Sequence, residues 1–186
     1  PFPFLLAADW GQSDRLISAL DEPDAAAAQK QTVIGLLGQM IAVDAIPRLT
    51  TALKDPDPAV VQSAATALGT IGHEDGIPAL LTLFKTGTPE QHRAAASGLG
   101  RLAPLHPNSG IVPAFIAALP GESIPNQIIL VRALGKTTDR QVLGPLKALH
   151  RSVLKQARSD SSSELKELLA TLGIALDGFD GVHTEE

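Results

Sequence analysis

Residues 45–84 read AIPRLTTALKDPDPAVVQSAATALGTIGHEDGIPALLTLF, and this stretch decides the fold. It begins with an apolar segment that opens on Ile46-Pro47 and is followed by a turn of alternating aspartate and proline. An alanine-rich segment then runs to Leu68-Gly69, and the same plan starts again at Ile77-Pro78. A sequence pattern that recurs at this interval indicates a repeat architecture.

Two sequence markers carry this period along most of the chain. Leu-Gly pairs recur at nearly regular intervals, beginning at Leu37, Leu68, Leu99, Leu134 and Leu172. Prolines near the start of the apolar segments recur in step with them, at Pro47, Pro78, Pro113 and Pro145. Because the two markers keep step, we predict about five repeats, at about 16–43, 44–73, 74–105, 106–138 and 139–176.

Each repeat is predicted to be a pair of antiparallel helices. In the second repeat Ile46, Leu49 and Leu53 recur at helical spacing, and a second apolar row begins at Val60. Proline is tolerated in a first helical turn, aspartate caps a helix start, and glycine ends a helix. One pair cannot bury both of its apolar faces, but stacked pairs can. The sequence therefore predicts an all-α fold, an α-solenoid of about five stacked antiparallel helix pairs over residues 16–176.

The two ends of the chain depart from the repeat. Residues 1–15 contain Phe2, Phe4 and Trp10, and we expect this aromatic segment to cap one end of the core, with a partner anchor as the alternative. Residues 177–186 show no helical period and are predicted to form an acidic tail. The sequence begins without methionine, which is typical of a processed chain or of a segment of a longer protein.

The composition argues against several classes of function. The chain has no cysteine, which excludes disulfide scaffolds, thiol nucleophiles and thiolate metal sites. Its five histidines share no metal-ligand spacing, and no phosphate-binding glycine loop occurs. No apolar run reaches the roughly 20 residues that a membrane helix needs. We therefore expect no cofactor, no metal, no enzyme activity and a cytoplasmic location.

The stretch at 45–84 resembles the HEAT repeats, in the short form found in phycobilisome-lyase-like proteins, and the resemblance extends over about 16–173. It implies an adaptor or scaffold, and as an alternative a subunit or chaperone-like helper of a bilin lyase-type chromophore-attachment system. One enzyme of this architecture, deoxyhypusine hydroxylase, binds di-iron through His-Glu pairs that open second helices. The matching positions here hold other residues: Lys30-Gln31, Val61-Gln62 and His92-Arg93. A di-iron site is therefore not predicted.

The resemblance also implies where a partner would bind, because second helices line the concave face of such solenoids. Aligning the repeats on Leu-Gly assigns these residues to that face: Gln31, Gln62, Thr66, His92, Arg93, Arg101, Arg132 and Lys136. We therefore predict a non-catalytic protein–protein interaction module whose protein partner is unidentified, with an acidic segment as one candidate ligand. The oligomeric state stays open.

The net charge of −5 hides an uneven distribution. Residues 129–158 hold seven basic residues and one acidic residue, whereas residues 159–186 hold one basic and seven acidic residues. Four basic residues recur at helical spacing and define a basic stripe: Lys147, Arg151, Lys155 and Arg158. The stripe is either a solvated face, a docking site for an acidic partner segment, or a surface covered by the acidic tail. Nucleic acid is not an expected partner, because no aromatic residues interleave with the basic ones.

Overall fold

The computed structural model describes residues 3–22, 25–160 and 162–180, with side chains described from residue 11 to residue 179 of these ranges. Within them the regular structure is helical, with ten α-helices in five successive pairs and no strand. The helices are α1 Pro3–Leu20, α2 Ala27–Gln39, α3 Ile46–Ala52, α4 Pro58–Ile71, α5 Ile77–Thr86, α6 Pro89–Leu102, α7 Ile111–Ala118, α8 Ile124–Leu134, α9 Leu143–Gln156 and α10 Ser163–Asp180. The all-α prediction of about five helix pairs is confirmed.

The chain divides into two compact units, Pro1–Leu102 and Ala103–Glu186. The first unit contains three helix pairs, and in it α4 packs between α2 and α6. The second unit contains two pairs, and in it α10 packs against both α8 and α9. Within each unit the second helix of one pair thus lies beside the second helix of the next pair, as stacked repeats require.

Aspartate, proline and glycine mark the start and end of α4 where the sequence predicts. The Asp57 carboxylate accepts a hydrogen bond from the backbone N–H of Ala59 at 2.8 Å, and Pro58 occupies the first turn of α4. Gly72 ends α4 with a left-handed backbone, φ 75°. These contacts satisfy backbone groups that a helix end would otherwise leave without partners.

The apolar rows of the second repeat form the core of the first unit. Ile46, Leu49 and Leu53 are at most 5% exposed. The matching row of α4 is buried along its length: Val60, Ala64, Ala65, Leu68 and Ile71. Burial of these aliphatic side chains is the main favourable contribution to the stability of the unit.

Two glycines of the Leu-Gly marker, Gly38 and Gly69, lie at close helix contacts, as does Gly98 next to a third pair. A Cβ added at Gly69 would lie 2.7 Å from the carbonyl oxygen of Gly98, and one added at Gly98 would lie 2.5 Å from the carbonyl oxygen of Ala65. Helices α4 and α6 therefore approach through their backbones, at a distance that leaves no room for a methyl group. Gly38 faces Ala67 of α4 in a similar way, with a built Cβ at 3.0 Å.

The two ends differ from the sequence prediction. Helix α1 begins at Pro3, so residues 3–15 belong to the first helix pair and do not form a separate segment. Phe2 and the side chains of Phe4 and Trp10 lie outside the described part, so their capping role stays a prediction.

At the other end α10 continues to Asp180, past the predicted start of the tail at residue 177. Leu168, Leu172 and Ala175 keep helical spacing and are buried, so the helix continues through Gly173. Residues 181–186 of the predicted acidic tail lie outside the described residues.

Candidate binding surfaces

The second helices of the first unit form one layer. Helices α2, α4 and α6 pack against α1, α3 and α5 on one side, and we call their other side the second-helix surface. Six of the predicted partner-binding residues lie on these helices, and apart from His92 they are Gln31, Gln62, Thr66, Arg93 and Arg101. Gln62 and the two arginines are exposed, and Gln31 and Thr66 are half-buried. The structure thus places these five residues at accessible positions of three adjacent helices.

A groove of about 310 Å³ runs along the second-helix surface between α2 and α4. Its lining is uncharged and mostly small: Gly35, Gly38, Gln39, Gln62, Ser63, Thr66, Ala67 and Thr70. A Cβ added at Gly35 would meet nothing within 4 Å, so the space above α2 is open at that residue. The groove therefore gives a ligand access to the helix backbone and to amide and hydroxyl groups.

Polar side chains along α4 are held in a hydrogen-bonded row. The Gln62 amide donates to the Thr66 hydroxyl at 3.3 Å, and the Thr66 and Thr70 hydroxyls donate to backbone carbonyls one turn earlier. At the end of the row the Arg101 guanidinium donates to the Thr70 hydroxyl at 3.3 Å. The row orients these groups and brings a positive charge to the end of the groove.

The second helices of the first unit carry an excess of positive charge in an acidic chain. Helices α2, α4 and α6 together carry three basic residues and one acidic residue, Glu90 in the first turn of α6. The whole chain has 15 basic and 20 acidic residues. The charge of these helices therefore favours an anionic ligand over a cationic one.

One predicted surface residue is wrong: the ring of His92 is directed toward the first helix of its own pair. Its Nδ1 lies 2.6 Å from the Phe84 carbonyl oxygen, and the imidazole stacks on the Phe84 ring with centroids 4.1 Å apart. The matching residues behave alike, since Val61 is 1% exposed and Gln127 donates to the Leu119 carbonyl at 2.9 Å. This register position faces inward, because the first helix covers it.

Lys30 occupies the same register position in the first repeat, and it forms an ion pair. Its ammonium lies 2.9 Å from the Asp55 carboxylate, whose side chain is 12% exposed. Burial tends to raise the pKa of Asp55, but the backbone N–H of Asp57 and the Lys30 charge together hold that pKa below its ordinary value. The pair therefore joins α2 to the turn before α4 and serves the packing of the repeats.

Arg132 and Lys136 belong to the second unit. Arg132 is exposed on α8, and its guanidinium lies 3.3 Å from the carboxylate of Glu167 on α10, which is equally exposed. Such a pair contributes little to stability and leaves the arginine available to a competing anion. Lys136 is exposed just after α8. That these two residues share one face with Arg93 and Arg101 stays a prediction.

The basic stripe lies on α9 and the turn after it. Lys147, Arg151, Lys155 and Arg158 are all exposed, whereas Leu146 and Val153 on the other side of α9 are buried. The predicted helical spacing of the stripe is thus realised in the structure.

Sequence reasoning missed a groove beside this stripe, between α7 and α9. The groove has a volume of about 360 Å³ and is lined by Ile116, Leu119, Pro120, Gln127, Pro145, Ala148, Leu149, Ser152, Val153 and Gln156. The available signal was the small pair Ala148 and Ser152, one turn apart on α9. Small residues at this spacing leave a depression on a helix surface, but only the neighbouring helix makes it a groove.

No metal or membrane site is found within the described residues. They contain no group of three or more histidine or acidic side chains placed to hold a metal ion. His73 Nδ1 and the Asp75 carboxylate lie 3.3 Å apart, in the turn before α5. None of the described helices combines the length and apolar character that crossing a membrane requires.

Residues 13–100 match the model of a family described as HEAT repeats. This match confirms the resemblance inferred from residues 45–84 and, with the helix pairs, the α-solenoid fold class. None of the curated proteins matches this sequence significantly.

Among solved structures, the chain is similar to an engineered protein, with a TM-score of 0.57 and 21% identity over 94% of this chain and 81% of that one. That likeness shows the fold. The chain is also similar to the complex of CpcE and CpcF of phycocyanin lyase from Nostoc sp. PCC7120, with a TM-score of 0.41 and 16% identity over 91% of this chain and 82% of that one.

A third similar structure is human deoxyhypusine hydroxylase in complex with glycerol, with a TM-score of 0.40 and 16% identity over 96% of this chain and 99% of that one. The last two TM-scores are too low to support an inference about function.

Proposed function

We propose, from the premise that residues 13–100 are HEAT repeats, that this protein is a non-catalytic protein–protein interaction module, an adaptor or scaffold of the cytoplasm. The observation that carries the proposal is the groove between α2 and α4 on the second-helix surface. HEAT repeats typically mediate protein interactions, and this groove offers an accessible site on them.

The chemistry of the groove favours an extended peptide segment with acidic side chains. Gln62, Thr66 and Thr70 present amide and hydroxyl groups that can bond to a peptide backbone. Arg101 reaches Thr70 at the end of the row, and Arg93 is exposed on the same helix. A carboxylate bound by an arginine would form a charge-assisted, bidentate contact, which neutral groups cannot supply.

The groove is less suited to nucleobases than to peptide. Its lining contains no aromatic side chain on which a base could stack. Small residues such as Gly35 and Ala67 instead allow close approach of a backbone. We therefore assign the second-helix surface to a protein ligand.

The experiment that tests this proposal fills the groove without disturbing the fold. Gly35→Gln places a neutral side chain over the groove, and Gly173→Gln is the matched control, because a Cβ at either glycine meets nothing within 4 Å. Tagged parent and variant proteins are used for affinity capture, and the captured proteins are identified by mass spectrometry. We expect proteins that the parent and Gly173→Gln both retain to be lost with Gly35→Gln.

A charge variant tests the same surface independently. Replacing Arg93 and Arg101 together with alanine should abolish capture of the same proteins while helical content is retained. If neither the filled groove nor this double variant changes the captured set, the second-helix surface is not the binding site.

A further inference from the structure

Helix α9 carries positive charge that no ion pair among the described residues neutralises. Its sequence, LGPLKALHRSVLKQ, contains no acidic residue. Within the described residues none of the ion pairs involves Lys147, Arg151, Lys155 or Arg158. The polar contact found for the stripe is between two of its own members, since Arg151 Nε donates to the Lys147 carbonyl at 3.3 Å.

This arrangement has an electrostatic cost in the free protein. Lys147 and Arg151 are four residues apart, as are Arg151 and Lys155, and like charges at this spacing repel each other along a helix. An anionic ligand placed along the stripe would relieve this repulsion. The stripe spans about 16 Å of helix axis, at a rise of about 1.5 Å per residue, so the matching ligand has several negative charges in a row.

An apolar groove borders the charged residues. The groove between α7 and α9 shares Ala148 and Ser152 with an open depression of about 520 Å³, whose other lining residues are Arg151, Leu154, Lys155 and Arg158. The floor of the groove is aliphatic and includes Ile116, Leu149 and Val153. Leu154, between members of the stripe, is 44% exposed. Aliphatic surface and a row of cations are therefore presented side by side.

We propose that α9 and the groove beside it form a second docking site, which binds an acidic amphipathic peptide segment of a partner protein. Aliphatic side chains of the segment occupy the groove, and its carboxylates lie along the stripe. An arrangement with apolar contacts at the centre and charged contacts at the rim is typical of peptide recognition in helical grooves. The site belongs to the second unit and does not depend on the second-helix surface.

The same features disfavour a nucleic acid as occupant. A phosphate backbone would satisfy the cations, but the groove lining has no aromatic side chain for bases to stack on. Burial of aliphatic side chains in an aliphatic groove instead makes binding more favourable. Charge alone does not separate the two ligands, so the test includes both.

The test uses the intact chain and a labelled helical peptide of about 14 residues, with glutamates four residues apart on one face and leucines on the other. Fluorescence anisotropy measures its affinity. Arg151→Glu/Lys155→Glu should weaken binding about tenfold or more. The matched control Lys54→Glu/Lys85→Glu changes the net charge equally at exposed residues of the first unit and should bind as the parent does.

Two further comparisons separate charge from groove. A peptide with glutamine in place of glutamate should bind about tenfold more weakly or worse. Ala148→Gln places a neutral side chain over the groove. This variant should bind the glutamate peptide more weakly, while its circular dichroism spectrum stays unchanged.

The proposal is overturned if Arg151→Glu/Lys155→Glu binds like the parent, or if both charge variants lose affinity equally. It is also overturned if Ala148→Gln binds like the parent, if the glutamine peptide binds as tightly as the glutamate one, or if duplex DNA or anionic lipid vesicles bind more tightly than the peptide at equal salt.

Discussion

Ile41 and Gly72 occupy the same position in successive repeats, and both have a left-handed backbone, with φ of 55° and 75°. Each follows the end of a second helix. After α2 the Ile41 N–H donates to the Gly38 carbonyl at 3.2 Å, and the Ala42 N–H donates to the Leu37 carbonyl at 3.1 Å. This helix end favours glycine, and a β-branched side chain there is strained.

Replacing Ile41 by glycine should therefore stabilise the protein. Ile41 is 57% exposed, so less than half of its apolar surface is lost from packing. We expect Ile41→Gly to raise the free energy of unfolding by about 1 kcal/mol through relief of backbone strain. Urea denaturation measures the change. The converse substitution Gly72→Ala should lower stability by about 1 kcal/mol, and a gain in that variant would contradict the assignment.

The contact between α4 and α6 makes Gly98 sensitive to a single methyl group. Because its Cβ would lie 2.5 Å from the Ala65 carbonyl oxygen, Gly98→Ala should lower the free energy of unfolding by about 2 kcal/mol. Gly35→Ala, in the same unit but facing open space, should instead gain up to about 1 kcal/mol from helix propensity. Equal effects at the two glycines would show that backbone approach does not limit this packing.

The Lys30–Asp55 pair predicts a dependence of stability on pH. The pKa of Asp55 is lower in the folded protein than in the unfolded chain, so its ionised form stabilises the fold. This contribution is present above the unfolded pKa of about 4 and is lost as the pH falls through the folded pKa.

Removing the lysine tests that dependence. Lys30→Gln should cost about 1–2 kcal/mol at pH 7, and the difference from the parent should shrink below about pH 4. Arg48→Gln is the control, because its pair with Asp21 is about half exposed, and it should change stability by less than about 0.5 kcal/mol. If Lys30→Gln lowers the free energy of unfolding by the same amount at every pH, the ion pair with Asp55 does not stabilise the fold.

The interaction of His92 with Phe84 predicts that glutamine can replace the histidine. Gln127 makes the corresponding bond to the carbonyl of Leu119, the residue after the first helix of its own pair. His92→Gln should therefore be more stable than His92→Ala by about 1 kcal/mol, the contribution of a typical hydrogen bond. Thermal unfolding followed by circular dichroism measures both variants. Because the His92 ring packs against Phe84, neither variant should change partner capture; a selective loss would return His92 to the binding surface.

The sequence by itself determined the repeats, the helix pairs and the buried rows, because these depend on signals close together in the chain. Asp57 caps the start of α4, and Gly72 ends the same helix. Ile46, Leu49 and Leu53 share one helix face because of their spacing alone. The exposed stripe on α9 was predictable for the same reason. The length of α10 was not, since a glycine within a helix resembles a helix end unless the buried residues beyond it are known.

Only the tertiary structure decided which side of each second helix is open. The alignment assigned His92 to the surface, but its register position, shared with Val61 and Gln127, packs toward the first helix or the residue after it. The groove between α7 and α9 likewise exists because of the distance between two helices and not because of any one residue. Spacing along a helix states which residues share a face, but burial of that face depends on neighbours that are distant in sequence.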